Sequence, residues 1–169
     1  MRNISTGHKI LGMGMFALLL LVAFNVISIL AAPDDKKQVA EAIEEMRKAT
    51  LENRAGGVLE HLSNAFETPV GSETGSPLAS VGNFITNAKV SRLVISDVNT
   101  EIDGASAITE CKMDADVEFL QVRYRLNGPV KIEFRKETAY RLFVIPEKKW
   151  RVVRFYPVDM SQFQAGPIS

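Results

Sequence analysis

The hydrophobic positions of this chain change rhythm along its length. Residues 10–32 are apolar except at Asn25 and Ser28. At about 1.5 Å of rise per residue, a helix of this length just crosses roughly 30 Å of hydrocarbon. The pattern predicts one membrane-length hydrophobic helix at the N-terminal end. Beyond Pro33 the apolar residues thin out. Val39, Ala42, Ile43, Met46, Ala49 and Thr50 share one side of a helical wheel, and Lys36, Lys37, Glu41, Glu44, Glu45, Arg47 and Lys48 share the other. That spacing predicts an amphipathic helix to about Asn53, begun by Pro33 and by acids at the positive end of the helix dipole. Gly56 and Gly57 end it, and a short second helix follows with Val58, Leu59 and Leu62 inward. Thr68 precedes Pro69 and is biased away from helix, which predicts an extended piece over 66–70. After a Gly/Ser loop over 71–77, Ser76 is placed to cap a third helix that starts with Pro77 and buries Val81, Phe84 and Ile85.

From Lys89 onward the period drops to two. Residues 90–102 are β-rich, with a slip at Ser96 and Asp97 that predicts a bulge. Asp103-Gly104 predicts a hairpin turn. Over 105–119, Ala105, Ala107, Thr109, Cys111, Met113, Ala115, Val117 and Phe119 fall on one side. Ser106, Glu110, Lys112, Asp114, Asp116 and Glu118 fall on the other, with Ile108 the exception. Such a strand buries one face and wets the other. Asn127-Gly128-Pro129 predicts the next turn, 131–145 a strand, Pro146-Glu147-Lys148 a turn, and 150–156 the last strand. Helices first and a meander afterwards make an α+β fold. The expectation is three N-terminal helices on a curved antiparallel sheet of about four to six strands, preceded by the hydrophobic helix. Residues 1–32 form a signal anchor or signal peptide, 33–158 the α+β domain, and 159–169 a short, loose C-terminal tail.

Charge orients the hydrophobic segment. Arg2 and Lys9 precede it, and positive charge there keeps that end in the cytoplasm and sends the rest across. Two readings stay open. An uncleaved anchor fits the length of the apolar run. A cleaved signal peptide fits the small residues Ala31 and Ala32, although Ile29 and Leu30 are large for a cut site. Either reading places the domain outside the cytoplasm, held on the outer face of a membrane or secreted.

The chain has 169 residues with 20 Lys and Arg against 20 Asp and Glu. Only Arg2 and Lys9 precede position 33, so 18 bases face 20 acids in the remainder, a formal charge of −2. That balance argues against a nucleic-acid partner, which calls for a basic footprint. The single cysteine, Cys111, cannot form an internal disulfide or a cysteine-rich zinc site. With only His8 and His61 as histidines, no metal or cofactor is expected.

The order of elements resembles the nuclear transport factor 2-like superfamily, which includes SnoaL-like proteins and ketosteroid isomerases. The resemblance spans 35–156. It is carried locally by Glu67-Thr68-Pro69-Val70-Gly71-Ser72-Glu73 and by the closing run Trp150-Arg151-Val152-Val153-Arg154-Phe155. It implies a cone of curved sheet wrapped around the first helix, with an exposed sheet face through which many members pair. In the isomerases the residue before the loop proline is an aspartate base and the first helix offers a tyrosine. This chain has Thr68 there and no tyrosine on its first helix. A threonine hydroxyl does not shuttle protons near neutral pH, so isomerase activity does not carry over.

Glu67, beside the implied mouth of the cone, is the one candidate base. Phe66, Phe84, Cys111, Met113, Tyr140 and Trp150 are the candidates for an apolar ligand pocket, or else they simply fill the core. Asp114, Asp116 and Glu118 line up on a strand, but a strand face diverges and does not wrap calcium. Pairing across the sheet with Lys131, Arg135 or Arg141 is the expectation. The expected role is a non-catalytic domain for protein interaction or self-association through the sheet. The alternative is binding of a small hydrophobic ligand in the cone. An enzyme using Glu67 ranks last.

Overall fold

The computed structural model describes residues 34–67, 76–141, 145–157 and 164–167. Helix α1 (Asp35–Leu51) buries Val39, Ala42, Ile43 and Ala49, carries Asp35 in its first turn and Lys48 in its last, and so matches both its stripe and its dipole. Each fully buried Val or Ile on that stripe contributes about 1.5–3 kcal/mol. Asn53, at φ 52°, turns the chain out of α1, and the Arg54 N–H bonds the Ala49 carbonyl at 2.8 Å. Helix α2 (Ala55–Leu59) is a single short piece. It lies so close to α1 that a Cβ on Gly57 would come within 2.9 Å of the Ala49 Cβ.

Strand β1 (Leu62–Glu67) comes next. Leu62, expected on the second helix, is instead the first residue of this strand and pairs with Val152. Helix α3 (Pro77–Asn87) starts with Pro77 as its sequence predicts and buries Ile85. Phe84 is 40% exposed and only partly belongs to the buried side; it rests against Phe119 with ring centroids 5.8 Å apart.

Four long strands follow: β2 (Lys89–Asp103), β3 (Ser106–Phe119), β4 (Val122–Arg141) and β5 (Ile145–Pro157), with a short β6 (Gln164–Pro167) after them. The main sheet runs β1-β5-β4-β3-β2, and β6 pairs with β4. The pairs β2–β3, β3–β4 and β4–β5 are antiparallel, whereas β1 runs parallel to β5. The sheet is therefore mixed, not wholly antiparallel. The chain enters it from α2 at the edge beside β5, so the direction of β1 is not set by a hairpin. The expected bulge lies between Ser96 and Asn99, with Asp97 at φ 52°. The Asp103-Gly104 hairpin forms, with Gly104 at φ 57°.

Two expected turns are strand instead. Residues 127–129 continue β4, with Gly128 opposite Met113 and Pro129 opposite Lys112. The turn is at Leu120-Gln121, both with positive φ, 51° and 65°. That backbone matches the twist of a two-residue hairpin, but its residues lack the Asn-Gly signal. Pro129 is tolerated where β4 changes partner, between Asn127 opposite Gln164 and Val130 opposite Pro157. Pro146 and Lys148 likewise pair within β5, opposite Tyr140 and Thr138. The stretch expected to be a loose tail includes β6, whose backbone pairs with 124–127 of β4.

The core joins α1 to the inner sheet face. Val39, Ala42 and Ile43 pack with Phe66, Ala107, Cys111, Val130, Ile132, Phe134, Trp150 and Val152. A second cluster, Ala88, Val90, Ala115 and Val117, extends it toward the Leu120 end. No described helix is long and apolar enough to cross a membrane. Residues 10–32, where that prediction falls, lie outside the described residues.

Candidate functional site

The inner face is built by alternation. Ala107, Thr109, Cys111, Ala115 and Val117 of β3 all point inward and are buried, while Ile108 points outward and is 37% exposed. Of the candidate pocket residues, Phe66, Cys111 and Trp150 are buried at 8%, 4% and 3% exposure, and Met113 packs against the same cluster. Phe84 stands apart on α3. Of Tyr140 only the backbone, within β4, is described. Burial pushes the Cys111 thiol up to about 11, so it stays protonated and inert at neutral pH.

A polar clamp on this face is not visible in the sequence pattern. Asp35 Oδ1 accepts hydrogen bonds from Lys136 Nζ at 2.6 Å and from the Trp150 indole N–H at 3.1 Å. Lys136 Nζ also lies 5.5 Å from the Trp150 ring centroid. The hydrogen bond from Lys136 holds the Asp35 carboxyl below its ordinary value of 3.8, against desolvation. The sequence offered Asp35 as a helix-start acid and Trp150 as an apolar residue. Their meeting, more than a hundred positions apart, is a product of β5 lying under the first turn of α1.

Glu67 is a surface carboxylate. Its side chain is 64% exposed and ion-paired with Arg154, which also reaches Glu133 at 3.4 Å. The Arg154 hydrogen bond holds Glu67 below the usual carboxylate range. A base needs the opposite shift, which burial away from water would supply and which an exposed, ion-paired carboxylate lacks. The neighbouring 68–75 segment lies outside the described residues. His61 sits 3.0 Å from the Glu45 carboxylate, a pairing of α1 with the start of β1. Among the described residues no three His, Cys, Asp or Glu side chains converge to hold a metal ion.

The outer face of the sheet is charged, and its charge is divided by strand. Outward positions on β2 and β3 carry mainly acids: Glu101, Asp103, Glu110, Asp114, Asp116 and Glu118. Those on β4 and β5 carry mainly bases: Arg123, Arg125, Lys131, Arg135, Arg151 and Arg154. Lys89, Arg92 and Lys112 are exceptions on the first side, Glu133, Glu137 and Glu147 on the second. Asp114 bonds Arg92 at 2.9 Å and Arg125 at 3.1 Å, and Glu118 lies 3.6 Å from Arg123. These are not the expected partners, Lys131, Arg135 and Arg141. The hairpin turns at 120–121 rather than 127–129, which slides the partner strand and presents a different set of arginines. The Arg125 hydrogen bond holds the Asp114 carboxyl below the usual range.

Two surface hollows are present among the described residues. One of about 330 Å³ lies between α1 and the edge strand β2, with apolar walls from Ala40, Ile43, Leu93, Ile95 and Val98 beside the Glu44 and Arg47 pair. The other, about 360 Å³, is lined by charged groups of β2–β4 such as Lys89, Asp116 and Arg123. Neither is lined by the six candidate pocket residues.

No protein-family model matches this chain, and no characterised protein matches it in sequence. Solved structures do match in shape. A nuclear transport factor 2-like protein of unknown function in nutrient uptake from Rhodospirillum rubrum superposes with a TM-score of 0.59 at 14% identity, over 80% of this chain and 100% of that one. A nuclear transport factor 2-like protein with a cystatin-like fold from Novosphingobium aromaticivorans gives 0.55 at 16%, over 78% and 86%. One from Cytophaga hutchinsonii gives 0.56 at 11%, over 73% and 96%. At these identities the likeness establishes the fold and nothing about chemistry.

Proposed function

We propose that this chain, whose fold is that of the nuclear transport factor 2-like superfamily, is a non-catalytic interaction module that is carried across a membrane by its first 32 residues and self-associates or binds a protein partner through the outer face of its sheet. The observation that carries this reading is the contrast between the two faces of the sheet. Inside, Phe66, Cys111, Phe134 and Trp150 are packed against one another and against α1. Outside, the candidate base is tied up by Arg154 and the surface is a broad lattice of charge. The export half of the proposal rests on the apolar run over 10–32 behind Arg2 and Lys9.

Native mass spectrometry of the full chain released from detergent tests the interaction half. Complexes of two or more copies, or with a co-purified protein, are expected. A lone monomer at micromolar concentration refutes it. Glu67→Gln is expected to leave that assembly unchanged. Fusion of a periplasmic-type reporter enzyme to the C-terminal end tests export, and a reporter active only in the cytoplasm refutes it. A second reading, binding of a small hydrophobic molecule, is favoured by the apolar hollow between α1 and β2. A bound lipid-like mass in the same spectra, lost on Ile43→Glu, would select it.

A further inference from the structure

Strand β2 is the outermost of the main sheet, and its far side pairs with no strand among the described residues. The two hairpins decide which backbone groups are left there. Asp103 lies opposite Ser106 across a two-residue turn, and Phe119 lies opposite Val122 across Leu120-Gln121. Residues that flank such a turn bond each other, and bonded pairs then recur at every second position. Counted from both turns, the even-numbered residues of β3 give their backbone groups to β2 and the odd-numbered ones to β4. Val94, opposite Asp114, and Ser96, opposite Lys112, therefore spend theirs on β3. Leu93 and Ile95 each leave an N–H and a C=O on the free edge. A contact from α1 agrees: Arg47 Nη1 donates to the Leu93 carbonyl at 3.3 Å. The other three groups have no hydrogen bond among the described residues.

This edge is the floor of the apolar hollow of about 330 Å³, which Leu93, Val94 and Ile95 all line. Successive side chains of a strand point to opposite faces, so three in a row reach one hollow only where the backbone edge forms its surface. Ala40 and Ile43 of α1 wall the hollow, and Val98, 48% exposed, stands beside the bulge. Edge strands are ordinarily guarded by proline or charge, yet β2 has no proline and Leu93-Val94-Ile95 no charge. The charges nearby are already paired, Glu44 with Arg47, Arg92 with Asp114 and Asp97 with Lys112, so the occupant that fits is uncharged. A small apolar molecule would cover the three open backbone groups without bonding them, at a cost in free energy. An extended backbone covers and bonds them together.

We propose that this edge is a docking site for an extended, uncharged segment of another polypeptide, which adds a strand beside Arg92–Ser96, bonds the backbone of Leu93 and Ile95, and places an apolar side chain in the hollow against Ile43 and Val98. In strand addition the main-chain bonds supply affinity, and the hollow supplies the preference for apolar side chains. The register shift between Ser96 and Asn99 bends the strand and limits the added one to about five paired residues. The site is separate from the charged outer face and does not depend on what that face binds.

The probe is a fluorescein-labelled peptide of about eight residues, within the usual range of strand lengths, alternating valine and threonine and kept soluble by a polyethylene glycol tail. Its control carries N-methyl groups on the central residues, which keeps it apolar and removes its donors. Fluorescence anisotropy with the full chain in detergent is expected to show the plain peptide binding at least about tenfold tighter, because the control loses main-chain bonds. Amide hydrogen exchange locates the contact. In the free chain the Leu93 and Ile95 amides are expected to exchange fast and the Val94 amide slowly, and the plain peptide should slow the first two at least about tenfold. Val98→Lys, at an exposed position, is expected to weaken binding at least about fivefold with an unchanged far-UV circular dichroism spectrum. Equal affinity for the two peptides, or no slowing at Leu93 and Ile95, overturns the proposal and leaves the hollow to a small apolar ligand. Slow exchange of both amides in the free chain also overturns it, since the edge is then already covered by its own chain or by a second copy. So does the absence of binding at about 1 mM plain peptide.

Discussion

Replacing Trp150 by alanine is the most direct probe of how the first helix is held to the sheet. The indole is 3% exposed, packs in the cluster that contains Val39, Ile43 and Phe134, and gives its N–H to Asp35. Truncation removes the transfer free energy of the ring and leaves a cavity under α1, together about 3–5 kcal/mol. That is a large share of the roughly 5–15 kcal/mol that stabilises a typical domain. Trp150→Phe separates the contributions. It keeps most of the packing and loses the hydrogen bond, while Asp35, 31% exposed, retains Lys136. A cost of about 1–2 kcal/mol is expected. The assay is urea unfolding of the full chain in a non-ionic detergent. Far-UV circular dichroism is the signal, because Trp150 is the chain's one tryptophan and its fluorescence disappears with it. With a slope of about 1–3 kcal/mol per molar urea, the alanine variant should lower the midpoint by about 1 M or more. A shift under about 0.3 M would mean that the indole is not in a packed core. Equal losses for alanine and phenylalanine would mean that the Asp35 bond, not the packing, holds the helix.

Other outcomes follow from single positions. Gly57→Ala should destabilise by about 1–3 kcal/mol, because the new methyl meets Ala49 at 2.9 Å. Gly56→Ala, with open space around it, should be neutral or gain up to about 1 kcal/mol; the same unfolding assay ranks the two, and the reverse order would refute the close contact of α2 with α1. Leu120→Asn with Gln121→Gly should stabilise by about 1 kcal/mol or more, since both residues now sit at positive φ, and an unchanged midpoint would count against that turn. Asp35 is depressed below 3.8 in the folded state. Its contribution is therefore fully present above that value and is lost as pH falls through the lower, folded-state value. The Trp150 indole proton resonance should hold steady down to pH 4 and move only in more acid solution. Movement centred between pH 5 and 7 would refute the clamp.

Local order was legible in the residues themselves. The stripe of α1, Pro77 at the start of α3, the bulge at Ser96-Asp97 and the Asp103-Gly104 hairpin depend on neighbours within a few positions, and periodicity or turn chemistry reports them directly. The inward side of β3 was legible for the same reason, because alternation at a period of two assigns faces without any knowledge of partners. The turn at Leu120-Gln121 was not, since its residues are poor in turn signal while Asn127-Gly128-Pro129 nearby is rich in it. The pairing energy of β4 with β3 along the whole hairpin outweighs a local preference.

From that one displacement came the wrong partners for Asp114 and Glu118. Register is a property of two strands together and cannot be read from either alone. The parallel seat of β1 beside β5 and the Asp35–Trp150 clamp are likewise contacts between segments far apart in the chain. The sequence by itself determined where α1, α3 and the bodies of β2 and β3 run and which way most of their side chains face, because those follow from short-range sterics and burial. Only the tertiary structure decided which charges meet and which are left over, because that depends on strand order and register, set by the packing of the entire sheet.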